Sequence, residues 1–322
     1  MNQLRLDPLT GRWVTVATGR GSRPDGFAHD PAVVEPPSAG PCPFCPGHEE
    51  ETPPALETYG RDGAWLLRVV PNKYPAFEGR GTMLVDQLGP LFAQAPATGI
   101  HEVLVISPSH TASFADLDDP QAGLAMAALR DRFEDHAHSS GVRYSQAIIN
   151  HGRAAGASLQ HPHGQILGIP FVPDGLLDEI AGFRRFSGGC LLCATVAAER
   201  DAGHRVVADE DGVVVVAPWW SGSPFELLVI PEGHHPRFHE TDPGTLANTG
   251  RVLRNALRRL RNLLGDVPYN VVLHTLPHHG DDPFHWHLHV IPRVQSTGGF
   301  EQGTGVPINI VAPEDACRLL TG

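Results

Sequence analysis

The chain has 322 residues, 41% of them hydrophobic and 19% charged, enough for about two domains of ordinary size with a buried core. Its 35 glycines and 30 prolines stay below the level of low-complexity chains. The net charge of −12, from 24 Lys and Arg against 36 Asp and Glu, runs against a surface built to neutralise nucleic-acid phosphates. The first residues carry no apolar run of signal-peptide length, and no 18-residue apolar stretch occurs. The expectation is a soluble, cytoplasmic protein without nucleic-acid or membrane partners. Histidine is abundant, at 19 residues, and four of the five cysteines fall into C-x-x-C pairs.

In chain order, a Pro- and Gly-rich stretch from Glu35 to Pro41 leads into Cys42 and Cys45, which Pro46 and Gly47 follow. A redox C-x-x-C pair opens a helix after a buried strand, so this setting favours a metal knuckle. After the run Glu102 to His110, a helix rich in Ala and Leu is expected from Pro120 to about His138, then a strand from Arg143 to Ile149. The Gly- and Ser-rich turn from Asn150 to Ser158 suits phosphate oxygens through its backbone amides. His161, His163 and Gln165 alternate along the next strand and should share a face. Cys190 and Cys193 come next, then the run Glu226 to His234. A helix from Pro243 to Leu264 places Leu246, Leu253, Leu257, Leu260 and Leu264 at helical spacing. A strand from Tyr269 to His274 precedes His285, His287 and His289. Cys317, in a C-terminal helical stretch, reads as a small buried hydrophobe. His235, His278 and His279, in polar loops, read as solvated.

These elements repeat. Glu102–His110 resembles Glu226–His234, and His161-Pro-His163-Gly-Gln165 resembles His285-Trp-His287-Leu-His289, each at an offset of 124. The expected fold is α+β, two tandem units at 1–175 and 176–322, each an antiparallel sheet with packed helices. Each unit also carries two Cys and two His in the same order. Cys42, Cys45, His110 and His161 form a closed Cys2His2 set suited to zinc, and Cys190, Cys193, His234 and His285 form a second.

The pattern Asn150-x-Gly152-x-x-x-Gly156-Ala157-Ser158-x-x-His161-Pro162-His163-Gly164-Gln165 resembles the active-site signature of galactose-1-phosphate uridylyltransferases, the transferase branch of the histidine-triad superfamily. Leu9 to Val14, then Arg20, Arg23 and Pro24, resemble the same family's N-terminus, and Pro71 to Pro75 resemble another of its motifs. The resemblance implies two histidine-triad-like units and His163 as nucleophile. It further implies Asn150, Ser158 and Gln165 on the phosphates, Arg20, Arg23 and Asn72 on the nucleotide sugar, and a homodimer whose sites borrow residues across the interface. The chemistry independently suits His163: a neutral imidazole attacks the α-phosphorus of a nucleoside diphosphate sugar and expels the sugar 1-phosphate. Both the leaving group and the acceptor are already anionic, so no strong general acid or base is needed. Gln165 donates a hydrogen bond without activating water.

The tail departs from the galactose-specific pattern. Gly298 to Gly305, together with the second C-x-x-C, resembles the sister group of ADP-glucose phosphorylases, which transfer AMP through the same histidine to inorganic phosphate. The first reading is a UDP-glucose–hexose-1-phosphate uridylyltransferase; the alternatives are an ADP-glucose phosphorylase and a non-catalytic zinc-stabilised nucleotide-binding protein. Glu179, His274, His287 and His289 also match a Glu/His3 metal site of some uridylyltransferases and compete with the second Cys2His2 set, which the repeat and the soft thiolates favour. At the 124-residue offset His274 stands for Asn150 and Asp282 for Ser158. The second half should therefore repel a phosphate and leave one active site per chain.

Overall fold

A computed structural model describes residues 2–22 and 41–322. Its strands and helices, in chain order, are β1 (Gln3–Leu6), β2 (Trp13–Val16), β3 (Glu57–Arg61), β4 (Ala64–Pro71), β5 (Asp86–Leu88), β6 (Phe92–Gln94), β7 (Ile100–Val105), α1 (Asp119–Ala137), β8 (Tyr144–His151) and β9 (His163–Ile169). The second half continues with α2 (Asp174–Arg185), α3 (Leu191–Ala202), β10 (Val206–Glu210), β11 (Val213–Val216), β12 (Leu227–Pro231), α4 (Pro243–Leu264), β13 (Tyr269–His274), β14 (His287–Pro292), α5 (Gly299–Thr304), β15 (Ile308–Asn309) and α6 (Pro313–Thr321).

The two long helices start alike. Asp118 accepts a hydrogen bond from the Gln121 amide and Asp242 from the Thr245 amide, each with proline in the first turn. The expected strand Tyr269–His274 is found as such, while the one expected at Arg143 begins at Tyr144 and runs on to His151.

Both halves merge into one ten-stranded sheet of order β10-β11-β12-β14-β13-β8-β9-β7-β4-β3. The order reads alike from either end, five strands per half, with β8 and β13 paired antiparallel at the seam. At that seam Ile148 faces Val272, its own equivalent at the 124-residue offset. In the helix layer, a Cβ on Gly123 would lie 3.2 Å from the backbone of Ala247, again its equivalent. One on Gly250 would lie 2.4 Å from the Ala122 carbonyl. Small residues therefore let α1 and α4 touch on the pseudo-twofold axis, and their apolar faces cover one side of the sheet with Met126, Phe133, Leu253 and Leu257.

The other side carries α2, α3 and the N-terminal segment. Leu9 and Val14 pack with Ile180, Phe183 and Leu192, and β2 runs parallel to β15. The first strands thus lie against the second half of the chain. Cys317 is buried in α6, as expected. His278 is not solvated: it is buried, with Nε2 2.8 Å from the Ser145 hydroxyl, and burial drives its pKa down to about 3. Among the described residues no helix is long and apolar enough to cross a membrane.

Candidate active site and metal centres

Pro162 has no N–H to give the ladder, so β9 begins at His163, and His161 lies in the bend before it rather than on the strand. This bend links two roles. The His163 Nδ1 lies 2.8 Å from the His161 carbonyl, which fixes the tautomer: Nδ1–H donates and Nε2 keeps its lone pair. Burial holds the His163 pKa below its ordinary value, so the ring is neutral near pH 7. The His161 ring does the reverse. Its Nε2 donates to the Ser107 carbonyl at 2.7 Å, leaving Nδ1 3.6 Å from Cys45 Sγ. His110 Nδ1 lies 3.4 Å from the same sulfur.

The four donor atoms of Cys42, Cys45, His110 and His161 all lie within 4.8 Å of one another. A tetrahedral zinc with bonds of about 2.3 Å to sulfur and about 2.0 Å to nitrogen sets S···N edges of about 3.5 Å, which is the spacing found. Phe44, between the two cysteines, packs on the His163 ring with centroids 5.5 Å apart. The knuckle thereby buttresses the histidine it stands beside.

The second half repeats this geometry. His285 Nε2 donates to the Pro231 carbonyl at 2.8 Å, and its Nδ1 lies 3.5 Å from both Cys190 and Cys193. His234 Nδ1 is 3.8 Å from Cys193. Glu179, on α2, and His274, His287 and His289 form a third group whose donors also lie within 4.8 Å of one another. The Cys2His2 and Glu/His3 sets share no residue, so both are assembled rather than alternatives. Burial alone would raise the Glu179 pKa, but the His274, His287 and His289 rings bring it down to about 2.

This third group occupies what would be the second reactive centre. His287, equivalent to His163, has its Nδ1 on the His285 carbonyl at 2.9 Å, but its Nε2 faces His289 Nε2 at 3.1 Å and Glu179 at 3.7 Å. Asp282 is ion-paired with Arg184.

Around His163, Gln165 follows on the same strand face, and β7 runs alongside with Val103 opposite Gln165 and His101 opposite Leu167. His101 Nε2 lies 2.9 Å from Gln165 Oε1 and 3.1 Å from Asn72 Nδ2. The Asn72 side-chain oxygen Oδ1 accepts from the Tyr74 amide at 2.8 Å. The Asn150–Ser158 loop turns on Gly152 and Gly156, both at positive φ, around a 3-10 turn at Arg153–Ala155. Asn150 is tied by Oδ1 to Asn270 Nδ2 at 2.7 Å, and Ser158 is exposed on the loop. Asn150 on β8 and Gln165 on β9 itself thus sit on adjacent strands at His163, while Asn72 directly follows β4, on the far side of β7. Arg20 is exposed in the 3-10 turn Thr18–Ser22 that follows β2, and no described contact joins it to His163. Arg23 lies outside the described residues.

Sequence reading missed His101 and Asn270. The signal for His101 is period-two alternation with Val103 and Val105 on the strand beside β9. Asn270 is found only through the β8–β13 register, where it faces Asn150.

The family model for the galactose-1-phosphate uridyl transferase N-terminal domain matches residues 1–173, and a HIT domain model matches residues 199–296. An ADP-glucose phosphorylase of Arabidopsis thaliana is 33% identical over 99% of this chain and 92% of its own length. A galactose-1-phosphate uridylyltransferase of Thermotoga maritima is 27% identical over 99% of this chain and 98% of its own. Among solved structures, an Arabidopsis thaliana ADP-glucose phosphorylase with bound ADP-glucose superposes with a TM-score of 0.84, at 31% identity over 100% of this chain and 99% of that one. A uridylyltransferase structure with a TM-score of 0.76 and 24% identity shares the fold. By full-length similarity and family model alike, the chain belongs to the galactose-1-phosphate uridyl transferase family, with a HIT domain in its second half.

Proposed function

We propose that the chain is a nucleotidyltransferase that passes the nucleotidyl group of a nucleoside diphosphate sugar through His163 to a phosphate acceptor. The observation that carries this reading is the His163 ring itself, neutral, buried and tautomerically fixed with Nε2 available. In the first step Nε2 forms a bond to the α-phosphorus and the bond from that phosphorus to the bridging oxygen breaks, releasing the sugar 1-phosphate. The His161 carbonyl, accepting from Nδ1–H, steadies the positive charge on the substituted ring. In the second step an acceptor phosphate oxygen attacks the same phosphorus and the P–N bond breaks. Gln165 and Asn150 donate to the phosphoryl oxygens, with Ser158 beside them on the loop, and Asn72 and Arg20, with Arg23, serve the nucleotide sugar.

UDP-glucose with a hexose 1-phosphate acceptor, in galactose metabolism, is the first reading of the substrates. AMP transfer from ADP-glucose to inorganic phosphate is the second, favoured by the 33% identity to an ADP-glucose phosphorylase and by the assembled second Cys2His2 set. Assaying UDP-glucose and ADP-glucose side by side, each with galactose 1-phosphate or phosphate, decides between them. Turnover of neither would refute the proposal.

Zinc in both Cys2His2 sets is part of the reading, supported by the donor types and spacing. With four protein donors each site is closed, and its contribution is structural. The Glu/His3 group would hold a third ion. Residues 1–175 and 176–322 are taken as the two histidine-triad-like units, supported by the mirrored strand order. We place the protein in the cytoplasm, where its five free cysteines stay reduced. A homodimer is supported by the β5–β6 hairpin, which presents Leu84, Leu91 and Phe92 at 70, 84 and 67% exposure.

A further inference from the structure

We propose that His101, and the pair Asn270 and Arg293, are positioning residues that hold the carboxamides of Gln165 and Asn150 by their carbonyl ends, so that both present only N–H donors to the transferring phosphoryl group. This rests on His163 being the nucleophile and assigns roles to three residues around it.

A carboxamide has nearly the same shape either way round but opposite polarity at its two ends. Turned one way it donates to a phosphoryl oxygen. Turned the other, it sets a carbonyl lone pair against an anion. A site that relies on such groups needs something to hold the oxygen away.

For Gln165 that is His101. The Ala76 amide donates to His101 Nδ1 at 3.0 Å, so the ring proton of the neutral imidazole sits on Nε2. That proton points at Gln165 Oε1, 2.9 Å away. Asn72 Nδ2, 3.1 Å from the same nitrogen, is itself a donor, so it can neither accept this proton nor hydrogen-bond to the protonated Nε2. With Oε1 held, the Gln165 NH2 end is left to the side of His163.

For Asn150 the anchor comes from the other half of the chain. Asn270 Nδ2 spends one proton on Asn150 Oδ1 at 2.7 Å and the other on the Ala155 carbonyl at 2.8 Å. Arg293 Nε donates to Asn270 Oδ1 at 2.6 Å, and the Arg293 backbone N–H is fixed on the Pro268 carbonyl at 2.7 Å. A guanidinium only donates, so Asn270 is set one way round and sets Asn150 in turn. The Asn150 NH2 then lies at the turn of the phosphate loop, where a Cβ on Gly156 would be 3.7 Å from it. The second half, whose own reactive centre is filled by Glu179, thus contributes orientation to the first. At its equivalent positions His289 replaces Gln165 and His274 replaces Asn150, so it has no carboxamide to orient.

The test is a double-mutant cycle on the rate at which His163 becomes labelled, followed by quench and intact mass with UDP-glucose and ADP-glucose. His101→Leu should slow labelling about 10²-fold, the loss expected when one donor to a developing oxyanion is removed. In a Gln165→Ala background, His101→Leu should change the rate less than about twofold, since there is no carboxamide left to orient. His101→Gln, which keeps an N–H in reach of Oε1, should recover most of the rate. Arg293→Met should behave the same way against Asn150→Ala. A His101→Leu loss as large in the Gln165→Ala background as alone, or no loss at all, would overturn the proposal. Absence of label on wild-type His163 would overturn the nucleophile assignment instead, a result distinct from failure of the cycle.

Discussion

Replacing Gly152 by alanine should be costly out of proportion to one methyl group. The residue sits at φ 77° and ψ 154°, a region occupied essentially by glycine alone, and holding a side chain there costs about 1–3 kcal/mol. The new Cβ would also lie 2.9 Å from Pro268 Cβ and 3.0 Å from its Cγ, on a rigid ring that cannot swing aside. Overpacking of that kind adds about 1–3 kcal/mol. The total is roughly 2–6 kcal/mol. Gly156 is the internal control. It sits at φ 88° and ψ 13°, ordinary left-handed backbone, with 3.7 Å to the nearest neighbour. Alanine there should cost only about 1–2 kcal/mol. Urea unfolding of both variants, with the slope unchanged from wild type, reads the difference. Because Gly152 follows the Asn150–Asn270 anchor, the backbone shift that relieves Gly152→Ala should also slow His163 labelling more than Gly156→Ala does. Equal stability losses in the two variants would refute the account of how this loop is held.

Cys42→Ser should lose one metal per chain together with thermal stability, read by elemental analysis and calorimetry; a wild-type protein that is metal-free, active and equally stable would contradict the structural role of that site. Arg132 grips the buried Glu102 with bonds of 2.6 and 2.9 Å, so Arg132→Leu should cost about 3–5 kcal/mol at pH 7 by leaving a buried carboxylate unpaired. Burial would raise the Glu102 pKa, but His136 and Arg132 hold it below its ordinary 4.5. In wild type the stability it contributes is therefore present above that pH and is lost as pH falls through the lower folded value. The Arg132→Leu penalty should shrink as pH falls, from the higher pH at which the variant's carboxyl, left to burial without Arg132, protonates down to the wild-type value. A pH-independent penalty in urea titrations would show that the charge is not its source. Leu91→Asp with Phe92→Asp should yield a monomer by light scattering if the hairpin is a dimer contact; an unchanged mass would remove that support.

Much of the site was legible because its chemistry is carried by short, rigid spacing. The proline starts of α1 and α4, the leucine spacing of α4 and the paired Cys and His intervals each express a local rule of helix starts, periodicity or ligand geometry. Two histidines were misread: Pro162 removes a ladder donor and moves His161 off the strand, and His278, in a polar loop by sequence, is buried against Ser145 of β8. What stayed hidden depends on register between distant segments. Nothing in β8 or β13 alone says that Asn150 will face Asn270, or that the two halves will share one sheet. The packing of Leu9 and Val14 against α2 is set by a parallel pairing with β15, nearly three hundred residues away in sequence. The coexistence of three groups that could each hold a metal likewise needed geometry, because His285, His287 and His289 read as one crowded strand face until His285 was seen turned toward Cys190 and Cys193.

The central claim is that one histidine per chain carries the nucleotidyl group. His163 and His287 are equivalents with the same Nδ1 anchor, and they differ in what faces Nε2. Intact mass and peptide mapping after incubation with UDP-glucose or ADP-glucose, without acceptor, separates them. The account predicts a single nucleotidyl group per chain on His163, absent in His163→Gly. Label on His287, or undiminished label in His163→Gly, would contradict it.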